Sequence, residues 1–165
     1  MTTYSATVRR DTNNVLGKGM AGNISFLGSR TIELATAASG SIVDFKLRVP
    51  LSIRVSQLSK IYHDDLATSG SPTLDIGCYP VDANFTADDD CLNDGIVVSA
   101  VMGASTQQGG VPVIKDFANA GKQLWEFISG ATATTGGFAD IKGIIRDATT
   151  NATGTITLEM AAYLD

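Results

Sequence analysis

The sequence predicts an all-β protein, a single antiparallel β-sandwich, jelly-roll-like, with an extended N-terminal arm. Apolar and polar residues alternate over several short stretches, as where Val43, Phe45, Leu47 and Val49 interleave with Asp44, Lys46 and Arg48. A period of two sends alternate side chains to opposite faces of a pleated strand. Turn-forming Gly, Pro, Asn, Asp and Ser separate these stretches at intervals of roughly ten residues, the spacing of a sandwich or barrel. Composition agrees: 17 glycines and only 18% charged residues in a chain of 165 favour strands and turns over a helical bundle.

Those 165 residues, 44% of them apolar, suit one domain with a proper core. The net charge of −5 and pI near 4.7 leave no basic patch of the size nucleic acid needs. No apolar run approaches the ~20 residues of a membrane span. The first residues, MTTYSATVRR, lack the apolar core of a signal peptide, so a secretory route is not expected. Two cysteines, Cys78 and Cys91, are too few for a disulfide scaffold and read as small buried apolar residues.

Residues 1–20 read as the arm and residues 21–165 as the domain. In the arm Tyr4, Ala6 and Val8 alternate as in a short strand beside Arg9 and Arg10, and Asp11 to Asn14 break the pattern. A segment with strand pattern and no core of its own is expected to dock on a neighbouring subunit by strand addition, the alternative being a mobile terminus. Asn23 to Ala35 reads as a tight hairpin turning at Gly28-Ser29. Ile42 to Val49 is a strand ended by Pro50, which cannot donate to a ladder.

The centre of the chain is read as an antiparallel hairpin from Ile53 to Asp82. Ile53, Val55, Leu58 and Ile61 mark its first strand, and Leu74, Ile76 and Cys78 the inward face of its second. The loop between them, HDDLATSGSP, is rich in turn residues. Val81 to Asp94 reads as a polar loop, Ile96 to Met102 as a buried strand, and Val111 to Ile114 as an edge strand broken by Pro112. Gly121 to Ser129 fits two patterns. Leu124, Phe127 and Ile128 share a helical face, while Leu124, Glu126 and Ile128 alternate; Trp125, Phe127 and Ile128 favour the strand. Asp140 to Asp147 and Thr155 to Leu164 are the last strands, with a turn at Asn151 to Gly154. The predicted core is Phe45, Leu47, Val49, Ile53, Val55, Leu74, Ile76, Cys78, Val98, Ile141, Ile145, Ile156, Leu158 and Met160.

Chemistry-bearing motifs are sparse. The single histidine, His63, stands beside Asp64 and Asp65 at a loop entrance and reads as part of a solvated turn, so no catalytic residue is assigned. Asp82, Asn84, Thr86, Asp88 and Asp90 alternate like the oxygen ligands of a calcium loop. Ala87 replaces the required glycine and Asn93 the closing glutamate, so an acidic solvent-facing loop is the better reading and no metal or cofactor is expected. Phosphate-cradling glycine motifs are absent. Trp125 and Phe127 suit a sugar site or, more commonly, a core.

The strand ending in HDDL, followed by TLDIGCYPVDA, and the later segments GKQLWEFISG, ADIKGIIRDA and GTITLEMAAYLD, together resemble virion proteins of tailed bacteriophages. The likeness covers about residues 49–165. It implies a non-enzymatic decoration or cement protein on the capsid surface, made in the host cytoplasm and partnered with the major capsid protein, with no nucleic-acid or membrane partner. A homotrimer is expected, because icosahedral shells present three-fold points and linked weak contacts bind tightly. Tyr4, Ala6, Val8, Arg9 and Arg10 would make the capsid or subunit contact. The alternative is a receptor- or glycan-binding module of a tail or head fibre.

Overall fold

The computed structural model describes residues 3–5, 24–81, 85–99, 110–132 and 136–163. They form ten strands: β1 (Thr3–Ser5), β2 (Ile24–Leu34), β3 (Ile42–Pro50), β4 (Arg54–Val55), β5 (Lys60–His63), β6 (Thr73–Pro80), β7 (Asp88–Val97), β8 (Val111–Pro112), β9 (Phe138–Arg146) and β10 (Gly154–Tyr163). Two sheets pack face to face as a β-sandwich, as predicted. The first has the order β1-β3-β9-β6-β7 and the second β2-β10-β5-β8, with β4 pairing β10 beside it. All ladders are antiparallel except that of β1, which runs parallel to β3.

The alternation that predicted the strands also builds the core. Val43, Phe45, Leu47 and Val49 on β3, Leu74, Ile76 and Cys78 on β6, and Ile141 and Ile145 on β9 meet Ile156, Leu158 and Met160 of β10 between the sheets. Every predicted core residue joins this cluster as a buried member except Ile53, which follows the turn after Pro50 and is only partly buried against it. Leu58, read as inward, is 54% exposed, because Ser56 to Ser59 form a tight turn with Leu58 at its tip.

Two irregularities shape the first sheet. On β3, Phe45 and Lys46 are extra residues between the pairs Asp44↔Lys142 and Leu47↔Ile141. Lys46 takes a left-handed φ of 55°, held by Asp44, which accepts from the Lys46 backbone N–H at 3.0 Å and from its Nζ at 2.7 Å. The bulge seats Phe45 over Gly143, where a Cβ would lie 3.4 Å from the Phe45 ring and 2.7 Å from Leu74 Cδ1. On β7, five residue steps from Asn93 to Asp88 accompany two on β6 from Ile76 to Cys78. The slack carries the Asp88–Asp89 backbone across Gly77.

Several sequence expectations are corrected. The central hairpin does not form: β5 lies in the second sheet and β6 in the first, and residues 64–72 cross between them, with Leu66 N–H bonding Val98 O at 2.9 Å. Asn23 to Ala35 is not a hairpin either. β2 runs straight through Gly28, whose φ of 152° accompanies a bulge at Leu27 between Gly28↔Met160 and Phe26↔Ala161. The acidic stretch after Ala87 is a strand, and β6-β7 is the hairpin. Leu124–Phe127 forms a 3-10 turn, its first N–H groups served by Glu126, which accepts from Gln123 N–H at 2.6 Å. The edge position of Val111–Pro112 is as expected.

Candidate functional site

The face of the first sheet that points away from the core is a mosaic of charges. Outward positions on adjacent strands stand opposite one another: Asp44 by Lys142, Arg48 by Asp140, Asp140 by Tyr79, and Arg146 by Thr73. Cations and carboxylates pair across the strands. Arg48 Nε donates to Asp140 at 2.9 Å, and Lys46 Nζ to Asp44 at 2.7 Å. Lys142 Nζ lies 4.9 Å above the Tyr79 ring. Asp44, Lys46, Arg48 and Asp140 line an open groove of about 290 Å³. Burial alone would raise the Asp44 carboxyl, but the Lys46 hydrogen bonds and the Lys142 and Lys46 charges outweigh it and hold it below its ordinary value.

The most connected part of the face joins three strands. Arg146 of β9 donates from Nε to Asp75 of β6 at 3.0 Å and from Nη2 to Asp89 of β7 at 2.8 Å. Asp75 is almost fully buried and also accepts from the Gly95 N–H at 2.9 Å. Tyr79 O–H donates to the other oxygen of Asp89 at 2.5 Å. Burial, followed by this bond to a carboxylate, pushes the Tyr79 phenol well above its ordinary value, so it stays a donor. Lys46, Arg48, Lys142 and Arg146 thus balance Asp44, Asp75, Asp89 and Asp140. A broad face of mutually oriented charges, on which Asp90 and Asp147 add to the carboxylates, has no positive field to draw a polyanion. It suits contact with another polar protein surface, where complementary charge fixes register.

The predicted site residues are placed as follows. Asp82 and Asn84 lie outside the described residues, and Asp88 and Asp90 belong to β7 rather than to a loop. Asp88 accepts from the Ser129 N–H at 3.0 Å. A hydrogen bond shared with Asp88 raises the Asp90 carboxyl, assisted by burial and by the Asp88, Asp94 and Asp75 charges. Among the described residues no three His, Cys, Asp or Glu side chains gather to hold a metal. Tyr4 lies in β1, where the backbone of Thr3–Ser5 pairs with β3 of the same chain, so these three residues find their edge at home rather than on a neighbour. Ala6, Val8, Arg9 and Arg10 lie outside the described residues. Trp125 and Phe127 pack against the core, and Trp125 Nε1 is held by Gln123 at 2.5 Å.

His63 is not in a solvated turn. It ends β5 on the inward face, 6% exposed, opposite Ile156. Its Nδ1 donates to the Asp64 carbonyl at 2.9 Å, since a carbonyl can only accept, which leaves Nε2 as a bare lone pair. Nε2 is buried and has no partner among the described residues. Burial lowers the His63 pKa below 6.5, against the opposing pull of the Asp64 carbonyl and the Asp64 and Asp65 charges. The folded state therefore prefers neutral imidazole. Its contribution to stability is complete above about pH 6.5 and falls as the pH drops through the lower folded value. With one histidine in the chain, His63 is the one side chain whose ordinary value lies in this window. Urea midpoints should decline between pH 7 and pH 5 in the wild type and stay flatter in His63→Gln; parallel declines would contradict the assignment.

The Arg146 network escaped the sequence reading, although its signal was there. Asp75 and Tyr79 occupy outward positions of the strand TLDIGCY, and a carboxylate in mid-strand needs a partner. No protein-family description matches this chain, and neither does any curated protein or solved structure.

Proposed function

We propose that the chain is a non-enzymatic structural protein of a tailed-phage virion, a decoration or cement protein that binds the outside of the capsid as a homotrimer. The observation that carries this reading is the strand order. With β1 and the two-residue β4 set aside, β3-β9-β6-β7 faces β2-β10-β5-β8, and successive strands change sheet except at the β6-β7 hairpin. That order supports a double-sheet jelly roll, an architecture used by viral capsid and lectin domains. The charge mosaic adds a broad polar face fit for a protein partner. The lectin use of such a fold is the weaker match, because Trp125 and Phe127 are packed against the core rather than offered as a stacking platform.

The test is sedimentation of the purified chain with shells assembled from the major capsid protein of the same phage, followed by reconstruction. Density on the outer surface at three-fold and quasi-three-fold positions is expected. A chain lacking residues 2–10 should fold and bind more weakly. Shells that sediment without the chain, or density away from every three-fold position, would overturn the capsid or the trimer reading respectively.

A further inference from the structure

Cys78 and Cys91 are the two cysteines of the chain, and both are free thiols. They sit on neighbouring strands of the β6-β7 hairpin. Cys78 is fully buried, while Cys91 is half-buried and packs against the same core cluster. The strand register alone would not bring them together, since Cys78 stands opposite Asp88. The slack in β7 does so: two residues on from the pair Ile76↔Asn93 along each strand lie Cys78 and Cys91, and both pack in the same core cluster.

We propose that Cys78 and Cys91 form an intrachain disulfide, closing β7 onto β6 when the folded chain meets a small disulfide oxidant such as oxidised glutathione. The order of events follows from exposure. The Cys91 thiol, the less buried of the two, loses its proton to solvent and attacks one glutathione sulfur. The glutathione S–S bond breaks and the first glutathione leaves as thiolate, taking up a proton. The Cys78 thiol then gives up its proton and attacks the Cys91 sulfur, releasing the second glutathione. Two protein thiols are oxidised to one disulfide, and one oxidised glutathione is reduced to two thiols. Burial, with the neighbouring Cys78 and the Asp88 and Asp90 charges, pushes the Cys91 thiol well above its ordinary value. Thiolate is therefore scarce at neutral pH, and bridging is slow there and accelerates as the pH rises.

The bridge would close a short loop across a hairpin whose ladder is irregular, so it restrains the unfolded chain where the folded ladder is thinnest. The experiment uses the full chain, purified under reductant and exchanged into oxidised glutathione under native conditions. Expected are loss of both titratable thiols, an intact mass lower by two hydrogens, and a peptide joining Cys78 to Cys91. The melting temperature should rise by ~5–10 °C and return with dithiothreitol. Cys91→Ser, at a half-exposed position, should fold and lose the oxidation-dependent rise. Two thiols still titrating after oxidation, a stable glutathione adduct at Cys91, or a disulfide-linked dimer would each overturn the proposal. A bridge that leaves the melting temperature unchanged would overturn its closing role.

Discussion

Gly77→Ala is expected to cost about 3 kcal/mol and to lower the melting temperature by ~6–12 °C. A Cβ at this position would lie 2.3 Å from Asp88 O and 2.5 Å from the carbonyl carbon and oxygen of Asp89. These are backbone atoms of a neighbouring strand, so no side-chain rotation relieves the overlap, and β7 must lift away from β6. Lifting β7 strains the bonds that tie it down, from Arg146 and Tyr79 to Asp89. It also draws Leu92 out of the core. Gly136→Ala is the control, because nothing lies within 4 Å of a Cβ there. Calorimetry of the two variants beside the wild type decides the matter: if Gly77→Ala melts with the wild type, β7 does not cross Gly77.

Leu158→Ala is expected to cost about 2–5 kcal/mol. Leu158 is fully buried at the middle of β10, flanked in register by Arg30 of β2 and Ile61 of β5. Both neighbouring strands hold its backbone in place, so the site collapses little around the space an alanine leaves. Its neighbour Thr157 points the other way and trades a 2.8 Å hydroxyl bond with Thr31 at the surface. Thr157→Ala should cost less than about 1 kcal/mol. Urea unfolding at constant slope reads both changes, and equal losses would mean that the faces of β10 are reversed.

What could be read from the sequence was the set of faces, and what could not was the set of partners. In β3, β9 and β10 the apolar residues recur at every second position, and there burial follows the pattern nearly residue by residue. Pairing is a different kind of information. The turn-rich stretch from His63 to Pro72 looks like a hairpin loop, yet the same residues serve equally to carry the chain between sheets, and only the distant bonds to Val98, Asn151 and Ala152 decide which. β7 opens with Asp88, Asp89 and Asp90, a run that β-propensity argues against. It is a strand because the Ser129 N–H donates to Asp88 and Arg146 and Tyr79 donate to Asp89, and no local pattern announces these donors. The 3-10 turn at Leu124 did have a local signal, since Gln123 and Glu126 stand at the spacing of a reciprocal cap. Gly28 was misread because a glycine that permits a turn equally permits a bulge. The charge mosaic was legible only on β3, where Asp44, Lys46 and Arg48 alternate with the core residues; Asp89 was read as loop, and which cation meets which carboxylate depends on the strand order.

The ladder between β2 and β10 sets the timing of folding on the ribosome. β2 begins at Ile24 and has β10, ending at Tyr163, as its only ladder partner among the described residues. β5 likewise meets the second sheet through β10. At a synthesis rate of roughly 5–20 residues per second, β2 waits on the order of ten seconds for the strand that covers its backbone. During that interval Ile32 and Leu34 have no sheet to complete, and the open edge is a template for any other nascent strand. A chain released before Gly154 would leave β2 apart from the β5-β8 pair and could not close the second sheet. Such fragments are substrates for chaperones and proteases rather than weakened versions of the protein. A topology this rich in distant pairings also folds slowly once complete.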